Sequence, residues 1–264
     1  MRELIKIFVS AARYLYAAYA LVIFLATMFI IVPFVVIASF FGRVRGGNAI
    51  YRICTFWADT WFFLIGIRHR NYYEVPHDKS KQYIFVANHI SYIDAPILAK
   101  ALRQHVRVLG KVETSKVPVF GYIYRKAVVT VDRSHAAARA NSVRILKSVL
   151  KKDISIFIFP EGTFNETHAP LKSFFDGAFR LAIEMQTPIK PIIFLDAYDR
   201  MCYKQVLHLT PGRSRAIFMK EISTTGLTIA DLQQLKAKVY VAMEAKLIEH
   251  NASWIRPQNT INNP

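Results

Sequence analysis

Asn88, His89 and Asp94 fall where an apolar run, YIFVA at 83–87, gives way to polar groups, and apolar periodicity resumes after Asp94. A buried strand, a sharp loop and a helix are predicted there, with His89 on the loop and Asp94 in the first helical turn. Along a continuous helix five steps turn two side chains about 140° apart, so His89 must precede the helix if the two are to meet. A carboxylate that accepts from one imidazole nitrogen fixes the tautomer and leaves the other nitrogen free to take a proton from an incoming hydroxyl. The chemistry predicted is that of a general base and its orienter. A loop cap made by Asn88, Ser91 and Asp94 would use the same residues without catalysis. Ser91 is a rival nucleophile beside His89, but HISYID lacks the Gly-x-Ser-x-Gly turn that exposes such a serine.

Two further apolar runs end in polar groups. A strand at 127–131 delivers Asp132 and Arg133, and a strand at 154–159 ends in Pro160, Glu161, Gly162 and Thr163. In open α/β sheets ligands gather beyond the carboxyl ends of strands, so the three ends are predicted to share one cleft. Arg133 is a candidate phosphate ligand, with a solvated turn arginine as the alternative. Gly162 lets the backbone approach a ligand and offers N–H groups to an anion, or simply makes a tight turn.

The elements that must position these groups alternate. Helices are predicted at 134–151, 171–185 and 228–250, the last with Thr228 and Asp231 as a capping box, and strands at 189–195 and 216–222. The fold class is α/β, a mixed sheet flanked by helices. Ahead of it, 14–41 carries no charge and is long enough for a bilayer span of about 20 residues. Pro33 breaks its hydrogen-bond ladder, and a second apolar stretch follows at 50–67. Arg2, Lys6 and Arg13 precede the first stretch, Arg43 and Arg45 separate the two, and Arg68, His69 and Arg70 follow. All flanks are basic, which places them on the cytosolic side and favours two helices that enter one leaflet and return; a single spanning anchor is the alternative. Residues 1–70 are thus expected to be membrane-associated helices, 71–250 the catalytic domain and 251–264 a frayed tail. Deleting 1–70 is expected to release a soluble domain.

A net charge of +17 calls for an anionic partner, and 53% hydrophobic with 13% aromatic residues favours the cytoplasmic face of the inner cell membrane over nucleic acid, whose recognition motifs are absent. Cys54 and Cys202 make no disulfide framework or metal spacing, so no metal is expected.

NHISYID at 88–94 resembles the Asn-His-four-residues-Asp block of the glycerolipid acyltransferases, the family that includes the lysophosphatidic acid acyltransferases. AVVTVDR at 127–133, FPEGTFN at 159–165 and PIKPIIF at 188–194 are similar to the blocks that follow, with Ala127 where glycine is usual. The apolar N-terminal pair resembles the two-helix membrane motif of bacterial members. The resemblance implies transfer of an acyl group from a thioester of coenzyme A or acyl carrier protein to a lysolipid hydroxyl. It implies His89 and Asp94 as catalytic residues and no cofactor, and the expected substrate-binding set is Asn88, Arg133, Glu161, Gly162 and Thr163, with Lys111 and Lys172 as candidate cations of this chain. Two positions depart from the family pattern. Phe164 stands where an arginine normally ends the third block, and Phe175 where many members carry a lysine, both positions associated with the acceptor's phosphate. Arg133, Lys111 and Lys172 are the cations left to replace them. The expected acceptor is 1-acylglycerol-3-phosphate. The alternatives are a phosphorus-free lyso-aminolipid such as an ornithine or glycine lipid, and a non-catalytic basic membrane-binding protein.

Overall fold

The computed structural model describes residues 2–131, 136–205 and 207–256. Its strands are Ile67–Tyr73 (β1), Ile84–Ala87 (β2), Val106–Lys111 (β3), Val128–Val131 (β4), Ser155–Ile158 (β5), Ile189–Phe194 (β6) and Gly212–Phe218 (β7). They form one mixed sheet in the order β1-β7-β6-β2-β5-β3-β4. Only β6 and β7 pair antiparallel; the other neighbours are parallel. Every residue of β2, β5 and β6 is buried, because helices cover both faces of the sheet centre, and such strands read as continuous apolar runs. The helices are Arg2–Ser39 (α1), Gly47–Leu64 (α2), Asp94–Ala101 (α3), Phe120–Ala127 (α4), Ala136–Leu150 (α5), Gly177–Glu184 (α6), Ala197–Arg200 (α7) and Leu232–Glu249 (α8). The capping box of Thr228 and Asp231 precedes α8 as predicted.

The two apolar stretches form an antiparallel hairpin. Trp61 Nε1 donates to the Ala20 carbonyl at 3.0 Å, Trp57 Nε1 to Thr27 Oγ1 at 3.0 Å, and the Tyr16 hydroxyl to the Ile65 carbonyl. The reversal is a short π-helical turn, Gly42–Gly46, that depends on its glycines. Gly42 has φ +77°, and a Cβ at Gly46 would lie 2.3 Å from the Ala38 carbonyl oxygen. α1 runs through Pro33, contrary to the predicted break, because Ile31, Val35 and Ala38 on either side bury against Ile50, Trp57 and Ala58 of α2 and outweigh one lost hydrogen bond. Ile7–Ser39 is long and apolar enough to cross a bilayer. Its outward side exposes Leu15, Val22, Phe29, Phe34 and Ile37, apolar surface that water would leave costly.

Three boundaries differ from expectation. β1 straddles position 70 and pairs along its whole length with β7, so the sheet begins before the expected domain boundary. Tyr51, Trp61, Phe62 and Ile65 belong to the same core cluster as the sheet, which makes the hairpin a structural layer of the domain rather than a removable anchor. The tail is anchored as far as Trp254, which is buried and donates to the Pro170 carbonyl at 3.3 Å.

Candidate active site

His89 leaves β2 on an irregular loop and Asp94 opens α3, as the spacing predicts. Asp94 is fully buried, and its Oδ2 accepts from His89 Nδ1 at 2.8 Å and from the backbone N–H groups of Ile90 at 2.8 Å and Ser91 at 2.9 Å. The loop cap and the histidine orienter are therefore one device. A carboxylate only accepts, so Nδ1 carries the proton and Nε2 presents its lone pair. The His89 side chain is 20% exposed, and Nε2 has no partner among the described residues. Its ring is held from two sides. Phe159 stacks on it with centroids 3.9 Å apart and planes 12° from parallel, and Phe164 meets it edge-on at 4.5 Å.

Glu161 fixes the loop from beneath. It is fully buried, with Oε1 accepting from the His89 backbone N–H at 2.8 Å and Oε2 from that of Lys172 at 2.8 Å. Burial pushes its carboxyl up to about 8, against the pull of those two N–H donors and with a further push from the Asp94 charge. The helix predicted at 171–185 starts only at Gly177, because the Phe175 N–H, which would donate to the Leu171 carbonyl in such a helix, goes to the Pro160 carbonyl at 2.9 Å.

The remaining members of the expected substrate-binding set fall into three groups. Asn88 is buried, and its amide is spent on the backbone of Phe194 at the end of β6, donating to the carbonyl at 3.0 Å and accepting from the N–H at 2.8 Å. Like Glu161, it positions the loop instead of facing a ligand. Gly162, Thr163 and Lys172 gather beside His89. Gly162 takes φ +71°, and Lys172 Nζ donates to Thr163 Oγ1 at 2.8 Å. Lys111 stands exposed at the carboxyl end of β3, two strands from β2 and so about 10 Å away. Arg133, with Asp132, lies outside the described residues. The Ser91 hydroxyl is buried and donates to the Met201 carbonyl, which removes it as a nucleophile.

Sequence reasoning missed the aromatic enclosure. Phe159 reads as one more core residue of an apolar strand, and Tyr92, packed edge-on to Phe164 at 4.7 Å, reads as a surface helix residue. Both line an apolar cavity of about 400 Å³ between the hairpin, α3 and α4, whose walls include Trp57, Trp61, Phe120 and Tyr124. The Phe159 ring thus has His89 on it and also forms part of the cavity wall.

A family model described as Acyltransferase matches residues 66–195. The chain is 29% identical over 166 residues to the human 1-acyl-sn-glycerol-3-phosphate acyltransferase alpha, covering 62% of this chain and 58% of that one. It is 25% identical over 191 residues to the 1-acyl-sn-glycerol-3-phosphate acyltransferase of Haemophilus influenzae, covering 71% of this chain and 76% of that one. An uncharacterized acyltransferase of Schizosaccharomyces pombe matches at 28% over 177 residues, with 62% of its length covered. The chain thus spans about six tenths of the length of the first of these relatives. In fold it is similar to the crystal structure of the 1-acyl-sn-glycerophosphate (LPA) acyltransferase PlsC from Thermotoga maritima, with TM-score 0.69 at 20% identity, covering 92% of this chain and 100% of that one. The ordered blocks and the sheet that carries them are thus similar to those of acyltransferases, with the family model matching residues 66–195.

Proposed function

We propose that this protein transfers a fatty acyl group from a thioester of coenzyme A or acyl carrier protein to the free hydroxyl of 1-acylglycerol-3-phosphate, giving phosphatidic acid, at the cytoplasmic face of the cell membrane. The observation that carries this reading is the His89–Asp94 pair at 2.8 Å, set against a wall of an apolar cavity that the membrane-facing hairpin helps to build. His89 Nε2 takes the proton of the acceptor hydroxyl as its oxygen bonds to the thioester carbonyl carbon. The carbon–sulfur bond then breaks, its electron pair leaves with sulfur, and the imidazolium returns the proton to the thiolate. Asp94 stabilises the imidazolium in between. The apolar cavity suits an acyl chain, and the hairpin keeps the site at the surface where both lipids reside.

A second acceptor class is favoured by one observation. Phe164 packs between His89 and Tyr92 where a phosphate ligand would place a cation, an apolar wall suited to a phosphorus-free lyso-aminolipid. Purified full-length protein assayed by thiol release against both acceptors decides. Activity on lysophosphatidic acid, kept or raised by Phe164→Arg, is the expected result. Activity confined to the lyso-aminolipid reverses the acceptor, and no thiol release with either acceptor overturns acyl transfer.

A further inference from the structure

A second pocket, of about 530 Å³, lies at the amino-terminal edge of the parallel strands, bounded by α2 and the loops that enter β2 and β3. α3 separates it from the active site. Asp94 opens that helix at the His89 end and Leu102 follows its far end in the wall of this pocket, eight residues away or about 12 Å along the axis. Three cationic side chains, Arg52, Lys79 and Arg103, line it against one carboxylate, Asp59. Asp59 is already committed. It accepts from Lys100 at 2.7 Å and from both terminal nitrogens of Arg103 at 2.7 and 2.9 Å, so its single negative charge is already shared by two cations. Arg52 faces His105, 3.5 Å away, with no acid between them, and Lys79 is exposed. Burial, then the Arg52 and Arg107 guanidinium groups, hold His105 below its usual range, and Arg52 makes no ion pair with an acid among the described residues.

The same face of α2 carries apolar groups. Arg52, Phe56, Asp59 and Phe63 recur at helical spacing, and Phe56 and Phe63 are 68% and 82% exposed. A ligand that satisfied this whole face would be anionic at the pocket and apolar beside it. We infer that the Arg52–Lys79–Arg103 pocket binds the phosphodiester headgroup of an anionic membrane lipid, whose chains lie along Phe56 and Phe63, separately from any lipid in the active site. Arg52 presents a guanidinium fork suited to phosphate oxygens, Lys79 adds a mobile donor, and Arg103, whose fork is held on Asp59, adds its charge. Free phosphate shares the headgroup's charge but has no use for the phenylalanines.

Native mass spectrometry of the full-length protein in neutral detergent tests this, because no bilayer surface is present to attract basic residues diffusely. Titration with dihexanoylphosphatidylglycerol should give one saturable adduct. Arg52→Ala with Lys79→Ala should weaken it about tenfold for each charge-assisted contact removed, about hundredfold together, while acyl transfer in mixed micelles is unchanged. The charge-retaining pair Arg52→Lys with Lys79→Arg should keep the adduct, which guards against loss through misfolding. An adduct of equal affinity in the double alanine variant overturns the site. Equal binding of dihexanoylphosphatidylcholine, or displacement by inorganic phosphate at equal concentration, overturns its assignment to an anionic lipid.

Discussion

Glu161 shows how one residue can shape a site without facing its ligand. Its oxygens take one backbone N–H from the histidine loop and one from the loop before α6, in a place with no solvent contact. Burial raises its carboxyl from 4.5 to about 8, so the folded chain holds a proton there that the unfolded chain has released. The stabilisation tied to that proton is complete below pH 4.5 and is lost as pH rises to about 8. Glu161→Gln is neutral at every pH but keeps one acceptor oxygen, so it holds one of the two straps. Its melting temperature should lack that downward slope, whereas Glu161→Ala should lose both straps, about 1–3 kcal/mol for each N–H left buried and unpaired, with activity falling in step. Thermal melts of the three proteins across that pH window check it; a parallel slope in the Gln variant contradicts a protonated Glu161. The pairing of His89 with Asp94 was legible from spacing alone, because a strand end followed by a helix start brings the two side chains together. The engaged state of Asn88 was not, since an amide spent on the β6 backbone looks in sequence like an amide aimed at a ligand.

At the scale of elements, the hairpin is joined to the sheet through Arg107 of β3. That side chain is buried, and its guanidinium donates to the carbonyls of Arg43 at 3.1 Å and Val44 at 3.3 Å and to Asn48 Oδ1 at 2.9 Å. Gly47 makes room for it, since a Cβ there would lie 2.4 Å from Arg107 Nη2. Arg107→Ala should cost about 1.5–3 kcal/mol for each charged hydrogen bond lost and loosen the turn at 42–46. A lower melting temperature in detergent, with faster proteolytic cleavage at that turn, is the expected outcome; unchanged cleavage would mean the hairpin is held elsewhere. The central strands were legible because strands buried on both faces read as apolar runs. β1 was not, because IRHRNYY at the sheet edge carries Arg68, His69, Arg70 and Asn71 in a row and mimics a polar flank of the second helix.

In the whole molecule the apolar hairpin and the sheet share one core. α1 exposes apolar side chains along most of its length, while α2 contributes Tyr51, Trp61 and Phe62 to the core of the sheet. A fragment lacking residues 1–64 should therefore expose that core and aggregate, where an independent anchor would have left a soluble domain; a monodisperse fragment with the full-length melting temperature contradicts this. The central claim, general-base acyl transfer by His89, is tested most directly by steady-state turnover of the purified full-length protein and its His89→Ala variant, followed by thiol release with lysophosphatidic acid as acceptor. A fall in kcat of about 10²–10⁴-fold, with KM and melting temperature held, is the predicted result. Full turnover in the variant would contradict it.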